Sequence, residues 1–344
     1  VWGDPAQFAG WAGEGDAAIW TGTALSAAVY RYAATGTRAD YQRMEDLTRT
    51  MLRAFDVTGI PGYLARYHYL NMPAGGPTSD QLIVRHQDTD PPRLRDNPIE
   101  SPEAIEGLPA AYADGLPDAE GTLVKGVPYW NGHPSIDQMT GPMSTFPVVW
   151  DVLEDQALKD RIAYQMTCYL KRLRRAEVIN LTQNPDVLEA LTGYFGGGAL
   201  VLDPEDIDLS KTDRLVVYYH AGFNSANAAD FDRTCPDSVA LEPIRVIDAA
   251  SDDFFLDMLD LVADMNEDEG DIRPGQIDHV YAPNIRGGDA SHLIHLAVMA
   301  WKFTEDPQYL DFLQHVLIDD LQADKVVQTM QSFRLPDWCF RFYG

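Results

Sequence analysis

The chain has 344 residues and sets 26 basic against 53 acidic side chains, a formal charge of −27, which excludes a general electrostatic grip on nucleic acid or on an anionic membrane surface. With 45% apolar and 23% charged residues, it has the makeup of a chain that folds around a buried core, not of a disordered one. The acids are 39 Asp and 14 Glu, the bases 20 Arg and 6 Lys; an aspartate coat serves solubility or salt tolerance, so no cofactor is expected, with scattered calcium sites as the lesser reading.

The sequence opens at Val1 with no basic-then-apolar leader, and its last stretch, Trp338 to Gly344, is still rich in apolar groups. The expectation is a processed, exported protein, extracellular or periplasmic, whose natural chain continues past Gly344. No run approaches the ~18 apolar residues of a membrane span. Cys168, Cys235 and Cys339 are far apart and form no C-x-x-C pair, so at most one disulfide forms. Cys168 lies among periodic helix residues as a small core side chain; Cys235 and Cys339 are a pair to consider if the compartment oxidises, with the pairing left open.

Asp16 to Ala34 reads as a small-residue, mostly apolar helix that ends at Thr35-Gly36-Thr37, where Gly can adopt the left-handed conformation of helix ends. The next helix repeats Tyr41, Met44, Leu47, Met51 and Phe55 at three to four residues, with polar groups opposite. The same hairpin recurs at Ile136 to Leu173, with stripe Leu158, Ile162, Met166, Tyr169 and Leu173. It recurs again at Asp289 to Leu321, with stripe Leu310, Leu313, Leu317 and Leu321. The connectors Leu153-Glu154-Asp155 and Thr304-Glu305-Asp306 match the first in position. A first helix that is apolar nearly all round needs cover on both sides, as hairpins packed around a ring provide. The expected fold is mainly α, an α/α toroid of helical hairpins in a single domain over residues 1–344, with long irregular loops and a few short strands.

Between hairpins, residues 58–135 hold Pro61-Gly62, Gly75-Gly76-Pro77 and Pro91-Pro92 with little helical periodicity. So long an irregular segment is expected to cover a site or to form one. Residues 196–250 are similar, apart from a strand-like run from Leu215 to His220, and Ser251-Asp252-Asp253 opens a further helix carrying Phe255, Leu259 and Val262.

Three segments carry a resemblance. They are Gly15-Asp16-Ala17-Ala18-Ile19-Trp20-Thr21-Gly22, the stretch from Trp130-Asn131-Gly132-His133 through Asp137 to Gly141, and Gly288-Asp289-Ala290-Ser291-His292. In each an Asp opens an inner helix with aromatic or His residues nearby. The pattern resembles the six-hairpin, α/α-toroid glycosidase superfamily, which contains unsaturated glucuronyl hydrolases and related polysaccharide-processing enzymes. The resemblance implies that substrate lies at one mouth of the ring, where carboxylates act as acid and base. It directs attention to Asp137, Asp16 and Asp289, with Trp20, Trp130 and His133 beside them as substrate-binding groups.

Glycoside cleavage requires two carboxyl groups flanking one bond, one protonated and one ionised. An Asp at a helix start can equally be an N-cap that accepts from free backbone N–H groups, and the positive end of the helix dipole suits a base or nucleophile better than an acid. Gly62 to Tyr69 places Tyr63, Arg66 and His68 together: aromatic faces stack on sugars, Arg grips a carboxylate, and Arg66 and His68 would share one side of an extended segment. The expected ligand is therefore an oligosaccharide or polysaccharide, with a short uronic-acid-bearing sugar suited to that Arg.

Elimination beside a uronate carboxylate is the alternative, with His292, Asn284, Tyr281 and Arg286 as its set. A non-catalytic extracellular binding or structural protein, able to self-assemble, is the third reading.

Other motifs fail. Asp264 to Gly270 starts like a calcium loop but has Glu269 and Gly275 where an EF-hand needs Gly and Glu. Asp289, His292 and His295 do not share one helix face well enough for zinc. Gly196-Gly197-Gly198 lacks the Lys of a phosphate loop. Arg85 to Asp90 reads as a polar loop, with an oxygen-rich calcium site as the lesser view. Lys171, Arg172, Arg174 and Arg175 complement a helix C-terminus.

Overall fold

The computed structural model describes residues 14–88, 92, 96–132, 136–173, 175–180, 214–219, 233–239, 245–247, 287–325 and 327, and the chain is mainly helical with short strands. It divides into two compact units, Val1–Tyr169 with Ala221–Pro236, and Leu170–His220 with Asp237–Gly344.

The first unit opens on a single 3-10 turn, Glu14–Asp16, and on α1, Ala17–Thr35, followed by α2, Arg38–Asp56. The corner between them is built as the sequence predicts. Gly36 takes φ 62° and donates its N–H to Tyr32 O, while Thr37 caps α2 by accepting from Asp40 N–H. Asp40 closes the corner, accepting from Thr35 and Thr37 hydroxyls at 2.6 and 2.8 Å and from Arg31 Nε at 2.6 Å. Tyr41, Met44, Met51 and Phe55 of the predicted stripe are buried. On α1, Ala18, Gly22, Leu25, Ala28 and Val29 are buried, whereas Trp20 and Tyr30 stay 61% and 64% exposed.

Residues 58–135, expected to be irregular, are organised around a sheet. Its strands are β1 (Tyr67–Met72), β2 (Val84–His86), β3 (Asp96–Pro98) and β6 (Val127–Asn131), in the order β2-β1-β6-β3. The one-turn helix α3 (Ala111–Asp114) and the small hairpin β4 (Leu116–Pro117) and β5 (Leu123–Val124) lie between β3 and β6 in the chain. β1 pairs parallel with β2 and antiparallel with β6. Under the sheet a core gathers Val57, Ile60, Tyr63, Ala65, Ile99, Tyr112 and Trp130.

The second hairpin is α4, Ile136–Val152, and α5, Gln156–Arg172. All five members of its predicted stripe are buried, and Asp155 accepts from Leu158 N–H at the start of α5. α1 and α4 pack with minimal separation: a Cβ on Gly22 would stand 2.5 Å from Gly141 Cα, so small residues admit backbone against backbone. Their starts meet where Gln138 Nε2 donates to Asp16 Oδ1 at 2.9 Å. At the other end the two connectors meet, with Arg38 on Glu154 at 3.2 Å and Tyr41 OH accepting from Glu154 N–H at 2.8 Å. The two first helices therefore run parallel, and the hairpins stand side by side. Between α2 and α5, Arg49 pairs with Glu45, Glu106 and Asp155, and Arg161 with Asp56 and Glu106.

The disulfide is not the pair considered from the sequence. Cys168, wholly buried on α5, bonds Cys235, not Cys339, across 67 residues. The same side of α5 receives the loop after α2: Gly62 donates to Gln165 Oε1 at 2.7 Å and has no room for a side chain against the backbone of Cys168 and Tyr169. Cys339 lies outside the described residues.

The second unit holds a sheet of β7 (Arg175–Asn180), β8 (Arg214–Tyr219) and β9 (Arg245–Ile247), in the order β8-β7-β9. β8 is the strand expected from Leu215, and the basic run divides, Lys171 and Arg172 ending α5 while Arg175 begins β7. The third hairpin begins with α6, Gly287–Thr304, and returns as α7, Gln308–Asp311, which passes into a π-helix over Phe312–Asp320. This wider turn corrects the predicted leucine stripe. A 3.6-residue count would bury Leu310, but Leu310 is exposed and the inward groups are Tyr309, Phe312, Val316, Leu317 and Leu321. The triple Gly196 to Gly198, the helix from Ser251 and the loop Asp264 to Gly270 lie outside the described residues, as does the end from Trp338.

Candidate functional site

Asp16 ends the 3-10 turn ahead of α1, and its carboxylate makes no capping hydrogen bond. It is exposed and bound instead by Gln138 of α4's first turn. An N-cap role for Asp16 is thereby set aside. Asp137 precedes Gln138 in that same turn, so the starts of α1 and α4 bring both positions to one end of the hairpin pair. The side chain of Asp137 is not among those described. Gln138 is fully buried and its Oε1 has no hydrogen-bond partner among the described residues.

The turn before α1 also fastens onto the sheet. Glu14 accepts from Arg85 Nη2 at 3.0 Å, and Gly15 O accepts from Arg66 Nε at 3.3 Å. Strand alternation then sets one sheet face apart. Register places Arg85 beside Asn71 and Asn71 beside Val127, Tyr69 beside Tyr129, and Tyr67 beside Asn131 and thence Asp96. Contacts agree. The Arg85 guanidinium lies over the rings of Tyr67 and Tyr69 at 5.3 and 4.8 Å and donates to Tyr67 OH at 2.9 Å. Tyr69 stacks on Tyr129, and Asp96 accepts from Tyr69 OH at 2.9 Å and from Asn131 Nδ2 at 2.7 Å. Burial and the adjacent Asp96 push the Tyr69 phenol far up, so it is a donor and not a base. This face is polar and aromatic; the opposite one carries Leu70, Met72 and Trp130 over the core.

Trp130 and Tyr63, expected as sugar-binding aromatics, belong to that core. They are 1% exposed each and meet edge to face at 5.8 Å, with no ring face left for a ligand. Arg66 and His68 do not act as a pair. Arg66 holds the turn before α1, while His68 Nδ1 shares a hydrogen bond with Tyr112 OH at 2.8 Å, and burial with the nearby Arg53 pushes its pKa down to about 4. Trp20 is exposed one helical turn beyond Asp16, where it can present a ring to solvent.

Asp289 lies in the first turn of α6 in the second unit, its side chain not described, and His292 is 4% exposed on the same helix. Burial, with His295, pushes the His292 imidazole down to about 3, which keeps it neutral at ordinary pH. His133, Tyr281, Asn284 and Arg286 lie outside the described residues. No group of three His, Cys, Asp or Glu side chains that could hold a metal occurs among the described residues, and no described helix is long and apolar enough to cross a membrane.

The chain matches no known protein family, and neither curated proteins nor solved structures show significant similarity to it.

Asp96, Asn71 and Gln138 were not singled out as site residues by the sequence, and Arg85 was named only as the start of a polar loop, whereas it lies on β2. Gln138 could have been found, since it adjoins Asp137 and faces the start of a helix. Arg85 and Asn71 carry no local signal; only the parallel pairing of β1 with β2 sets them side by side.

Proposed function

We propose that the chain is a carbohydrate-active hydrolase working at the joined starts of α1 and α4, with Asp16 and Asp137 as its carboxyl pair. The observation that carries the reading is the Gln138 to Asp16 hydrogen bond: it draws the start of one hairpin's inner helix to that of the next, and it leaves an exposed carboxylate that does no structural capping. Hydrolysis adds water across the glycosidic bond, the leaving oxygen taking a proton from one carboxyl group while the other removes a proton from water or attacks the sugar carbon. Trp20 offers a stacking surface beside Asp16.

Parallel inner helices and matched connectors support a ring built by repeating the hairpin, as in the six-hairpin glycosidases that the sequence resembles. The buried Cys168–Cys235 bond supports an oxidising compartment, extracellular or periplasmic. Elimination has less support: of its set only His292 lies among the described residues, and that side chain is 4% exposed. A uronate at the sheet would have to displace Glu14 from Arg85.

The test is turnover on a panel of oligosaccharides by reducing-end release, with ultraviolet absorbance followed to detect the double bond that elimination leaves. Asp16→Asn and Asp137→Asn should each lower kcat by about a hundredfold or more while the fold persists. Unchanged turnover in both variants would remove these residues as catalysts.

A further inference from the structure

The turn that carries Asp16 is held by other elements, residue by residue. Glu14 accepts from Arg85 Nη2 of β2 at 3.0 Å, Gly15 O accepts from Arg66 Nε ahead of β1 at 3.3 Å, and Asp16 Oδ1 accepts from Gln138 Nε2 of α4 at 2.9 Å. The first two bonds hold the turn beneath Asp16; the third reaches the carboxylate itself. Gln138 is also placed at a cost to the core. It is 0% exposed, and its Oε1 has no hydrogen-bond partner among the described residues. A buried carbonyl left unmet is destabilising, whereas a hydrogen bond to an exposed carboxylate replaces one that water would make, so the pair contributes little to folding. Methionine, of similar length, would fill the position without the unmet oxygen. What only the amide supplies is an N–H aimed at Oδ1. The other carboxylate oxygen, Oδ2, makes no hydrogen bond among the described residues.

We propose that Gln138 is a positioning residue for Asp16: from inside the core it fixes Oδ1 and so sets the plane of the carboxylate, leaving Oδ2 as the oxygen that meets water or the sugar. The assignment rests on the hydrolase reading and adds to it the group that orients one of the two carboxyls. Because Gln138 is wholly buried, it does not touch substrate, and its effect passes through Asp16 alone. With the turn held at Glu14 and Gly15, the freedom left to Asp16 is rotation of its side chain. A carboxylate free to rotate spends less time in the reactive geometry, so the loss falls on the chemical step and not on binding.

Gln138→Met tests the proposal, with thermal melting of the full chain and with kcat and KM on whichever oligosaccharide of the panel the wild-type chain cleaves. The variant should lower kcat by at least about tenfold, leave KM within about twofold, and melt at the same or a higher temperature. Combined with Asp16→Asn it should add no further loss, because the group it orients is already disabled. Unchanged kcat in Gln138→Met beside a crippled Asp16→Asn overturns the positioning role and leaves the hydrolase reading standing. A lower melting temperature, or a chain that does not fold, also overturns it, since the amide would then be holding the fold. So does a loss that multiplies in the double variant, or a rise in KM in place of the fall in kcat. A wild-type chain that cleaves no oligosaccharide, or an Asp16→Asn variant at full turnover, ends the hydrolase reading at Asp16 and this assignment with it.

Discussion

Gly22→Ala tests the contact on which the two-hairpin arrangement depends. The new Cβ would lie 2.5 Å from Gly141 Cα, 2.7 Å from its O and 2.8 Å from its C. All three atoms are backbone, so no side chain can swing aside, and α1 must retreat from α4 by roughly 1 Å to reach ordinary carbon contact. Such a gap forfeits about a quarter to a half of each dispersion contact along Ala18, Leu25, Ala28 and Val29. Overpacking of this kind costs about 1–3 kcal/mol. Against it stands the intrinsic preference of a helix for Ala over Gly, about 1 kcal/mol in the opposite direction. With backbone on both sides the clash wins, and a net loss of about 1 kcal/mol is expected, which lowers the melting temperature of a unit this size by roughly 2–4 °C. Urea unfolding of Gly22→Ala is the assay, with Gly15→Ala, where nothing lies within 4 Å of the added carbon, as the control that should stay near wild type. Should Gly22→Ala unfold at higher urea than wild type, propensity would have prevailed, and the close passage of α1 over α4 would be refuted.

Reduction of the disulfide, or Cys235→Ser, should cost about 4 kcal/mol by the loop-closure argument for a sequence separation of 67; unfolding curves with and without reductant measure it, and coincident curves would speak against the Cys168–Cys235 bond. His292 binds its proton near pH 6.5 when unfolded but only near 3 when folded, so the unfolded chain takes up the proton first as pH falls. Stability from this residue is complete above pH 6.5 and declines below it, by about 2 kcal/mol between pH 7 and pH 5; His292→Gln should remove that part of the pH dependence, and identical slopes for the two proteins would contradict a buried neutral imidazole. Glu106→Gln leaves Arg49 and Arg161 with their other partners, and Glu106 is 62% exposed, so its cost should stay under about 1 kcal/mol and vanish in 1 M salt; a larger, salt-resistant loss would mean that this carboxylate organises the α2–α5 seam.

The hairpins were legible because their signals are local. Gly36, the connector at Leu153 to Asp155 and the stripes from Tyr41 to Phe55 and Leu158 to Leu173 each lie within the span of the element they specify, and the observed helices follow them closely. The third return helix stands where the sequence put it, but a π turn changes the period itself, so that Leu317 and Leu321 of its stripe turn inward while Leu310 does not. The sheet escaped for another reason. In β1, five of six residues are buried, so Tyr67-His68-Tyr69-Leu70-Asn71-Met72 shows none of the polar and apolar alternation by which a half-exposed strand announces itself. The other strands of its sheet are three to five residues long and set apart by prolines and glycines, the same punctuation that marks a loop. With three cysteines, spacing could not choose among three pairings, and the choice was made by the fold, which lays the chain after α2 against the buried side of α5.

The same distinction between local and non-local information separates the two halves of the candidate site. Asp16 and Asp137 are visible in the sequence because a helix start is a local event, whereas the groups that give the site its chemical character are assembled by pairings across tens of residues: Arg85 with Glu14 over 71 positions, Asn131 with Asp96 over 35, Gln138 with Asp16 over 122. That assembly also explains the demotion of the aromatic motif around Tyr63 and Trp130. A strand beside a core gives alternate residues to opposite faces, so a dense aromatic run cannot serve a ligand with all its members. Tyr67 and Tyr69 go to the polar face with Arg85, while Trp130 turns inward to Tyr63. Half of such a run is always the floor of the site and not its lining, and parity along β1 and β6 decides which half.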